Sequence, residues 1–183
     1  MKLAEALPIA ERIKTELAPY CSRIEIAGSI RRKRQVVNDI EIVCIISRPM
    51  SFWEQVNRYL KIKGKPGAKY TQRVVWLTDN HYVSPAGLYH ENTSPWIPLD
   101  IFTATPYNWG LIYAIRTGSA GYSHQVLATG WTKKGYHSKE GILYRTENRG
   151  EVNASPRVVH VREEHELFDL IGIPYCDPEK REV

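Results

Sequence analysis

The run over residues 39–46 constrains the fold of this chain more than any other segment. Its sequence, Asp-Ile-Glu-Ile-Val-Cys-Ile-Ile, is rich in β-branched apolar residues, which is typical of a buried strand. It is far shorter than the roughly 20 apolar residues needed to cross a bilayer. Because side chains alternate along a strand, Asp39 and Glu41 lie on one face and the neighbouring isoleucines on the other. The run therefore predicts a buried strand with two carboxylates at its beginning.

The remaining segments predict an α+β fold. The 183 residues fit one domain, or one domain with a small appendage. Apolar spacing predicts helices at 2–19, 51–61 (with Ser51 as N-cap), 107–115, 121–128 and 163–171. It predicts strands at 23–26, 39–46, 70–77, 97–102, 142–145 and 158–161, with a turn at 63–67 and a long loop at 79–95. This order of elements favours α+β over a doubly wound sheet.

The charge of the chain is unevenly distributed. The chain carries 25 Lys and Arg against 20 Asp and Glu, a net charge of +5, yet residues 151–183 hold 4 bases and 8 acids. The bases cluster at 31–34, 61–73 and 133–139. Such clusters suit a polyanion such as nucleic acid, although an ordinary solvated surface explains them equally well.

The cysteines and the N-terminal segment predict a cytoplasmic protein. Cys21, Cys44 and Cys176 are odd in number and lack metal-ligand spacing, so we expect reduced thiols. Charged residues follow Met1 almost at once, so no signal peptide is expected, and no segment predicts a membrane partner.

A third acid and a glycine-serine turn suggest phosphoryl chemistry. Asp100 lies in an apolar frame at 98–102, on a different predicted strand from Asp39 and Glu41. If the two strands are neighbours, three carboxylates could hold two Mg²⁺ ions, as phosphoryl transfer requires. The alternative is that Asp39 and Glu41 are only the solvated beginning of a strand.

The segment 28–32, Gly-Ser-Ile-Arg-Arg, begins eleven residues before Asp39. It follows a predicted strand, and it offers backbone N–H groups and arginines to an anion.

This constellation resembles the nucleotidyltransferase fold of the family X DNA polymerases, the group that includes DNA polymerase beta. The resemblance covers nearly the whole chain from Ile24 and rests on colinear motifs. The first is the Gly-Ser segment 28–32 followed by the acid pair at 39–41, and the second is Asp100, which matches the third acid of the family. The others match the helix and turn between palm and thumb (108–119), the small thumb sheet (134–136 and 141–144) and the C-terminal end (163–182). The resemblance implies a palm with a mixed β-sheet flanked by helices at 1–105. It also implies a small α+β thumb at 106–183.

The resemblance also implies roles for individual residues. Asp39 and Glu41 would bind both metals and Asp100 the catalytic one, with Mg²⁺ as the cofactor and Mn²⁺ as a possible substitute. The residues expected to bind the incoming nucleoside triphosphate are Gly28, Ser29, Arg32, Ile115, Arg116, Thr117 and Gly118. Those expected to bind DNA are Ser123, His124, Leu127, Lys133 and Lys134.

The chain departs from the family pattern in three places. Glu41 stands where the family usually has Asp, which is one methylene shorter. Ile115 and Arg116 replace a sugar-facing aromatic pair, so weaker discrimination against ribonucleotides is expected. No lyase or helix-hairpin-helix domain precedes the palm, so the implied architecture is the minimal palm-plus-thumb form.

The expected function is template-directed DNA synthesis. The enzyme, expected to be a monomer, would extend a primer 3′-hydroxyl on primer-template or gapped DNA, in gap filling or repair. One alternative is a template-independent nucleotidyltransferase that acts on RNA, a protein or a small molecule. Another is a nucleic-acid-binding module without catalytic activity. The thumb-like residues 117–182 favour the first, and the three acids argue against the last.

Overall fold

The computed structural model of the chain describes residues 1–63, 67–76, 96–145 and 156–183. These residues form two compact units, Met1–Thr103 and Ala104–Val183. The predicted loop at 79–95, the turn residues 64–66 and the last residue of the predicted strand 70–77 lie outside the described residues. Within the described ranges, no helix combines the length and the apolar character needed to cross a membrane.

The first unit is built on a mixed five-stranded sheet. Its strands are β1 (Cys21–Ile26), β2 (Ile40–Ile46), β3 (Leu60–Lys63), β4 (Tyr70–Trp76) and β5 (Trp96–Thr103). Their order across the sheet is β1-β2-β5-β4-β3. Only β2 and β5 are parallel neighbours, and the other pairs are antiparallel. The α+β class and the strand over residues 39–46 are therefore confirmed.

Helices cover the apolar face of this sheet. The helices are α1 (Leu3–Leu17), the one-turn α2 (Gly28–Arg31) and α3 (Pro49–Val56). Ile13 and Leu17 of α1 and Phe52 of α3 share one buried core with Ile40 and Leu99 of the sheet. Since side chains alternate, the residues that follow these two in β2 and β5 lie on the opposite face.

The helix predicted at 51–61 differs from the observed element at both ends. The helix begins at Pro49, whose fixed φ suits the first helical position, and its N-cap is Arg48 instead of Ser51. It ends at Val56, and Leu60–Lys63 forms an edge strand paired with β4. At residues 60 and 61, pairing with a distant strand overrides the predicted helical spacing.

The second unit packs helices on a three-stranded sheet. The helices are α4 (Trp109–Thr117), α5 (Ala120–Tyr122), α6 (Thr129–Lys133) and α7 (Glu164–Ile171), with a π-helical segment at Ser123–Ala128 between α5 and α6. The sheet has the order β6 (Tyr136–Lys139), β7 (Ile142–Arg145) and β8 (Arg157–Val159). The helix predicted at 107–115 thus begins two residues later, and the one predicted at 121–128 belongs to a longer helical stretch.

A buried ion pair ties the C-terminal segment to α7. Arg181 Nη1 donates to Glu164 Oε1 over 2.6 Å, and both side chains are almost fully buried. The guanidinium lies 5.0 Å from the ring centroid of Phe168 and 5.2 Å from that of Tyr175. The backbone N–H of Ser119 donates to the Arg181 carbonyl, so the turn before α5 is held by the same segment.

Candidate functional site

The parallel pairing of β2 with β5 places two of the predicted acids side by side. Glu41 is the register partner of Asp100, and both side chains are half-buried. The preceding register pair, Ile40 and Leu99, is fully buried in the core. Because Glu41 and Asp100 follow that pair, both carboxylates lie on the sheet face that the α1–α3 core does not cover. The sequence could not establish this neighbourhood, since it depends on strand order.

Asp39 lies in the electric field of Asp100. Burial raises the pKa of the Asp39 carboxyl above its usual value, and the charge of Asp100 raises it further. The positive charge of Arg32 acts in the opposite direction but does not cancel these effects. Asp39, Asp100 and Arg32, which the sequence assigned to one site, therefore interact electrostatically in the first unit.

Two residues of β4 orient the Asp100 carboxylate. Gln72, the antiparallel register partner of Asp100, donates from Nε2 to Oδ1 over 2.8 Å. Tyr70 donates from its hydroxyl to the same oxygen over 3.2 Å, and its ring stacks on Phe102 with centroids 4.9 Å apart. Both donors meet Oδ1, and no hydrogen bond to Oδ2 is found within the described residues, so Oδ2 can accept a further ligand. Sequence reasoning missed Tyr70 and Gln72, although their alternation places them on one face of the predicted strand.

The predicted glycine-serine turn contacts the Glu41 carboxylate. Gly28 has a φ of +61°, and a Cβ added there would overlap Glu41 Oε2 and lie 2.8 Å from its Cδ. Glycine is therefore the residue that this approach allows. The next residue, Ser29, has a buried hydroxyl that makes no hydrogen bond within the described part of the chain. A buried hydroxyl without a partner is costly, and a ligand oxygen would satisfy it.

The donor set suits a divalent cation. Asp39, Glu41 and Asp100 supply only carboxylate oxygens, the ligands that Mg²⁺ prefers. Burial is the main cause of the raised pKa of Asp39, and the charge of Asp100 adds to it, so a cation bound there would favour the ionised carboxylate. Among the described residues, however, no three His, Cys, Asp or Glu side chains form a ready-made metal cluster. The carboxylates therefore fit the metal in two ways. Their oxygens are suitable ligands, and Asp100 neighbours both Glu41 and Asp39.

The other predicted site residues lie in the second unit and differ in accessibility. Ile115 and Arg116 lie in α4 and are half-buried, Thr117 is fully buried, and Gly118 and Ser123 are half-buried. The Ser123 hydroxyl donates to the Ile115 carbonyl over 2.7 Å. This bond links the helix that follows the Thr-Gly-Ser turn to the helix that precedes it.

The predicted DNA contacts divide into exposed and buried residues. His124, Lys133 and Lys134 are exposed on the helical stretch from Ala120 to Lys134. Leu127, on the same stretch, is fully buried in the core of the second unit. Its burial follows from helical spacing, because Leu127 and Trp131 share one face. We therefore leave Leu127 out of the proposed DNA contacts.

No protein-family model matches the chain, and no curated protein matches it.

Proposed function

We propose that this chain is a Mg²⁺-dependent nucleotidyltransferase that extends a primer 3′-hydroxyl on a DNA template. The observation that carries the proposal is the register pairing of Glu41 with Asp100, with Asp39 in the field of Asp100. The sequence places a Gly-Ser turn before these acids, and in the structure Gly28 lies against the Glu41 carboxylate. Two acids on paired strands, a third acid just before one of those strands and a Gly-Ser segment beside them support a nucleotidyltransferase palm like that of the family X polymerases.

The three carboxylates are assigned to metal binding. Asp39 and Glu41 would hold two Mg²⁺ ions jointly, and Asp100 would hold the one nearer the primer hydroxyl. When bound, the metals would lower the pKa of that hydroxyl and neutralise the triphosphate. Gln72 and Tyr70 fix the orientation of the Asp100 carboxylate through Oδ1. They act as positioning residues, since neither is a metal ligand in this scheme.

Ser29 and Arg32 are assigned to the triphosphate. The Ser29 hydroxyl is buried and makes no hydrogen bond within the described residues, so it can donate to a phosphate oxygen without breaking an existing bond. The positive charge of Arg32 acts on Asp39, so it reaches the region where the carboxylates lie. A guanidinium there can contact phosphate oxygens in a bidentate manner.

The exposed lysines of the second unit are assigned to the DNA backbone. Lys133 and Lys134 follow one another at the end of α6 and point into solvent. Such lysines bind phosphates of the DNA backbone and do not distinguish one base sequence from another. Template direction would then come from base pairing with the incoming nucleotide.

The test compares gapped duplex DNA with a bare single strand. Each deoxynucleoside triphosphate is supplied singly with Mg²⁺ or Mn²⁺, and incorporation is followed on a gel. We expect the nucleotide complementary to the gap to be incorporated preferentially. Addition of all four nucleotides to a single strand at similar rates would instead identify a template-independent transferase.

Asp100→Asn tests the catalytic centre itself. It removes a ligand charge at constant volume and should lower kcat at least about a hundredfold. Asp169→Asn makes the same chemical change at an exposed position of the second unit and should retain activity. If Asp100→Asn extends primers at the wild-type rate, the carboxylate assignment is wrong.

A further inference from the structure

A cavity lies on the three-stranded sheet of the second unit, and no function has so far been assigned to it. Its volume is about 470 Å³, and the described residues that line it are Tyr136, Arg145, Arg157, Val158, Val159 and His160. Ligand pockets commonly have volumes of about 300–1,000 Å³, so this cavity has room for a small molecule or part of a larger one. The described lining residues include two arginines and a histidine, and none of them is a carboxylate.

The two arginines of this cavity face each other across neighbouring strands. Arg145 of β7 is the register partner of Arg157 of β8. Tyr136 of β6 is the register partner of Arg145 on its other side, so these three side chains form one row across the sheet. Side chains directly opposite in an antiparallel pair approach within about 5.5 Å at Cβ, and like charges there are destabilising.

This repulsion is not compensated within the described residues. Both arginine side chains are exposed, and neither forms an ion pair or a side-chain hydrogen bond there. Elsewhere in the same unit, Arg181 is paired with Glu164 and Lys180 with Asp177. Two adjacent guanidinium groups without an acid between them are suited to an anion that bridges them.

The other lining residues indicate what is attached to that anion. The His160 ring lies 4.7 Å from the ring of Tyr107, which fixes its position at the cavity rim. Tyr136 and His160 offer aromatic surface, and Val158 and Val159 offer apolar surface. Flat aromatic groups such as nucleobases stack on surfaces of this kind.

We infer that this cavity binds a nucleoside phosphate unit, either as a free nucleotide or as part of a nucleic-acid strand. The phosphate lies between Arg145 and Arg157, and the base lies against the aromatic and valine side chains. This site differs from the carboxylate site, which belongs to the first unit, and from the exposed lysines of α6. The inference does not rest on the proposed catalytic function, since it requires only binding.

The experiment measures binding by isothermal titration without divalent cations, so that metal-dependent binding elsewhere is suppressed. The probes are adenosine 5′-monophosphate, adenosine, inorganic phosphate and single-stranded oligodeoxyadenylate. We expect the monophosphate to bind more tightly than either adenosine or phosphate. Arg145→Gln and Arg157→Gln should each weaken that binding by at least about tenfold, as the loss of a charged hydrogen bond predicts.

Lys139→Gln is the matched control. It removes one positive charge from the same sheet, at the far end of the β6–β7 pair, and should leave monophosphate binding unchanged. If Lys139→Gln weakens binding as much as the arginine variants do, the loss reflects the net charge of the protein, and the assignment of the phosphate to Arg145 and Arg157 is wrong. Equal binding by the arginine variants and the wild type also overturns the inference.

Two further measurements separate binding from folding and identify the source of the phosphate. Because like charges oppose each other, Arg157→Gln should have a thermal midpoint no lower than that of the wild type. In the wild-type protein, the monophosphate should protect Arg145 and Arg157 from phenylglyoxal, and lack of protection overturns the inference. Tighter binding of the oligonucleotide than of the monophosphate, again dependent on both arginines, would identify a nucleic-acid strand as the ligand. Tighter binding of the monophosphate than of the oligonucleotide would identify a free nucleotide as the ligand.

Discussion

Replacing Gly28 with alanine tests whether the Glu41 carboxylate must lie where the structure places it. The added Cβ would overlap Glu41 Oε2 and lie 2.8 Å from Cδ and 3.1 Å from Cβ of the same side chain. The two atoms with the closest approach belong to the flexible end of Glu41. We therefore expect this side chain to swing away, so that the carboxylate is displaced from its position opposite Asp100.

The effect on stability comes mainly from the backbone. Gly28 has a φ of +61°, and this left-handed conformation costs an L-residue about 1–2 kcal/mol. Because the carboxylate can move, the steric overlap adds little to that figure. We expect a larger effect on catalysis, because displacing Glu41 as a proposed metal ligand should lower kcat by at least about a hundredfold.

A second glycine supplies the matched control for backbone strain. Gly67 belongs to the same unit and has a φ of +81°, but a Cβ added there meets no atom of the described residues within 4 Å. Urea unfolding should show similar losses of stability for Gly28→Ala and Gly67→Ala. Primer extension should fail only for Gly28→Ala. Wild-type extension by folded Gly28→Ala would refute the assignment of Glu41 to the catalytic centre.

Three further predictions concern other parts of the chain. Gln72→Leu removes a hydrogen bond to Asp100 Oδ1 and should lower kcat by about tenfold while KM for the nucleotide changes less; an unchanged kcat would contradict the positioning role. A hydrogen bond from Cys44 lowers the pKa of Cys21 whereas burial raises it, so alkylation of Cys21 should continue to a lower pH than that of an ordinary thiol. Cys44→Ala should then move the pH midpoint of alkylation above the ordinary value, and no movement would contradict the pairing. Neutralising the exposed lysine pair at 133–134 should reduce the slope of log affinity against log salt by about 2 on duplex DNA without changing nucleotide choice, and an unchanged slope would mean that these lysines do not contact the backbone.

The elements that local sequence encodes strongly were predicted well. The run over residues 39–46 is confirmed as β2 with only its first residue outside the strand, because β-branched residues and burial favour the same conformation there. Gly172 ends the last helix as predicted, since its φ of +74° is the left-handed C-cap that glycine adopts readily. In such segments local preference and tertiary packing agree, so the sequence alone is sufficient.

The elements that depend on distant partners were predicted poorly. Residues 60 and 61 were predicted as the end of a helix but belong to β3, because backbone hydrogen bonds to β4 outweigh a weak local preference. The helix predicted at 107–115 begins only at Trp109 for a different reason, which is local. Thr105 and Asn108 form a turn before it, with the Thr105 N–H donating to Asn108 Oδ1 over 2.7 Å. Neither partner can be identified from the periodicity of the segment itself.

In the candidate site, too, the residues recognisable from their own segment were predicted, and those that depend on a neighbouring strand were missed. Asp39, Glu41 and Asp100 were found from the sequence because a carboxylate in an apolar strand is conspicuous and needs compensation. Gln72 and Tyr70 were missed because neutral polar residues on a strand face are common. Their importance arises only when β4 lies beside β5 and Gln72 meets Asp100 in register. In that register both described donors bind Asp100 Oδ1 and none of the described residues donates to Oδ2, so the strand order influences which carboxylate oxygen can accept a ligand. A sequence pattern can therefore name the acids of such a site, but the order of the strands decides how each acid is presented.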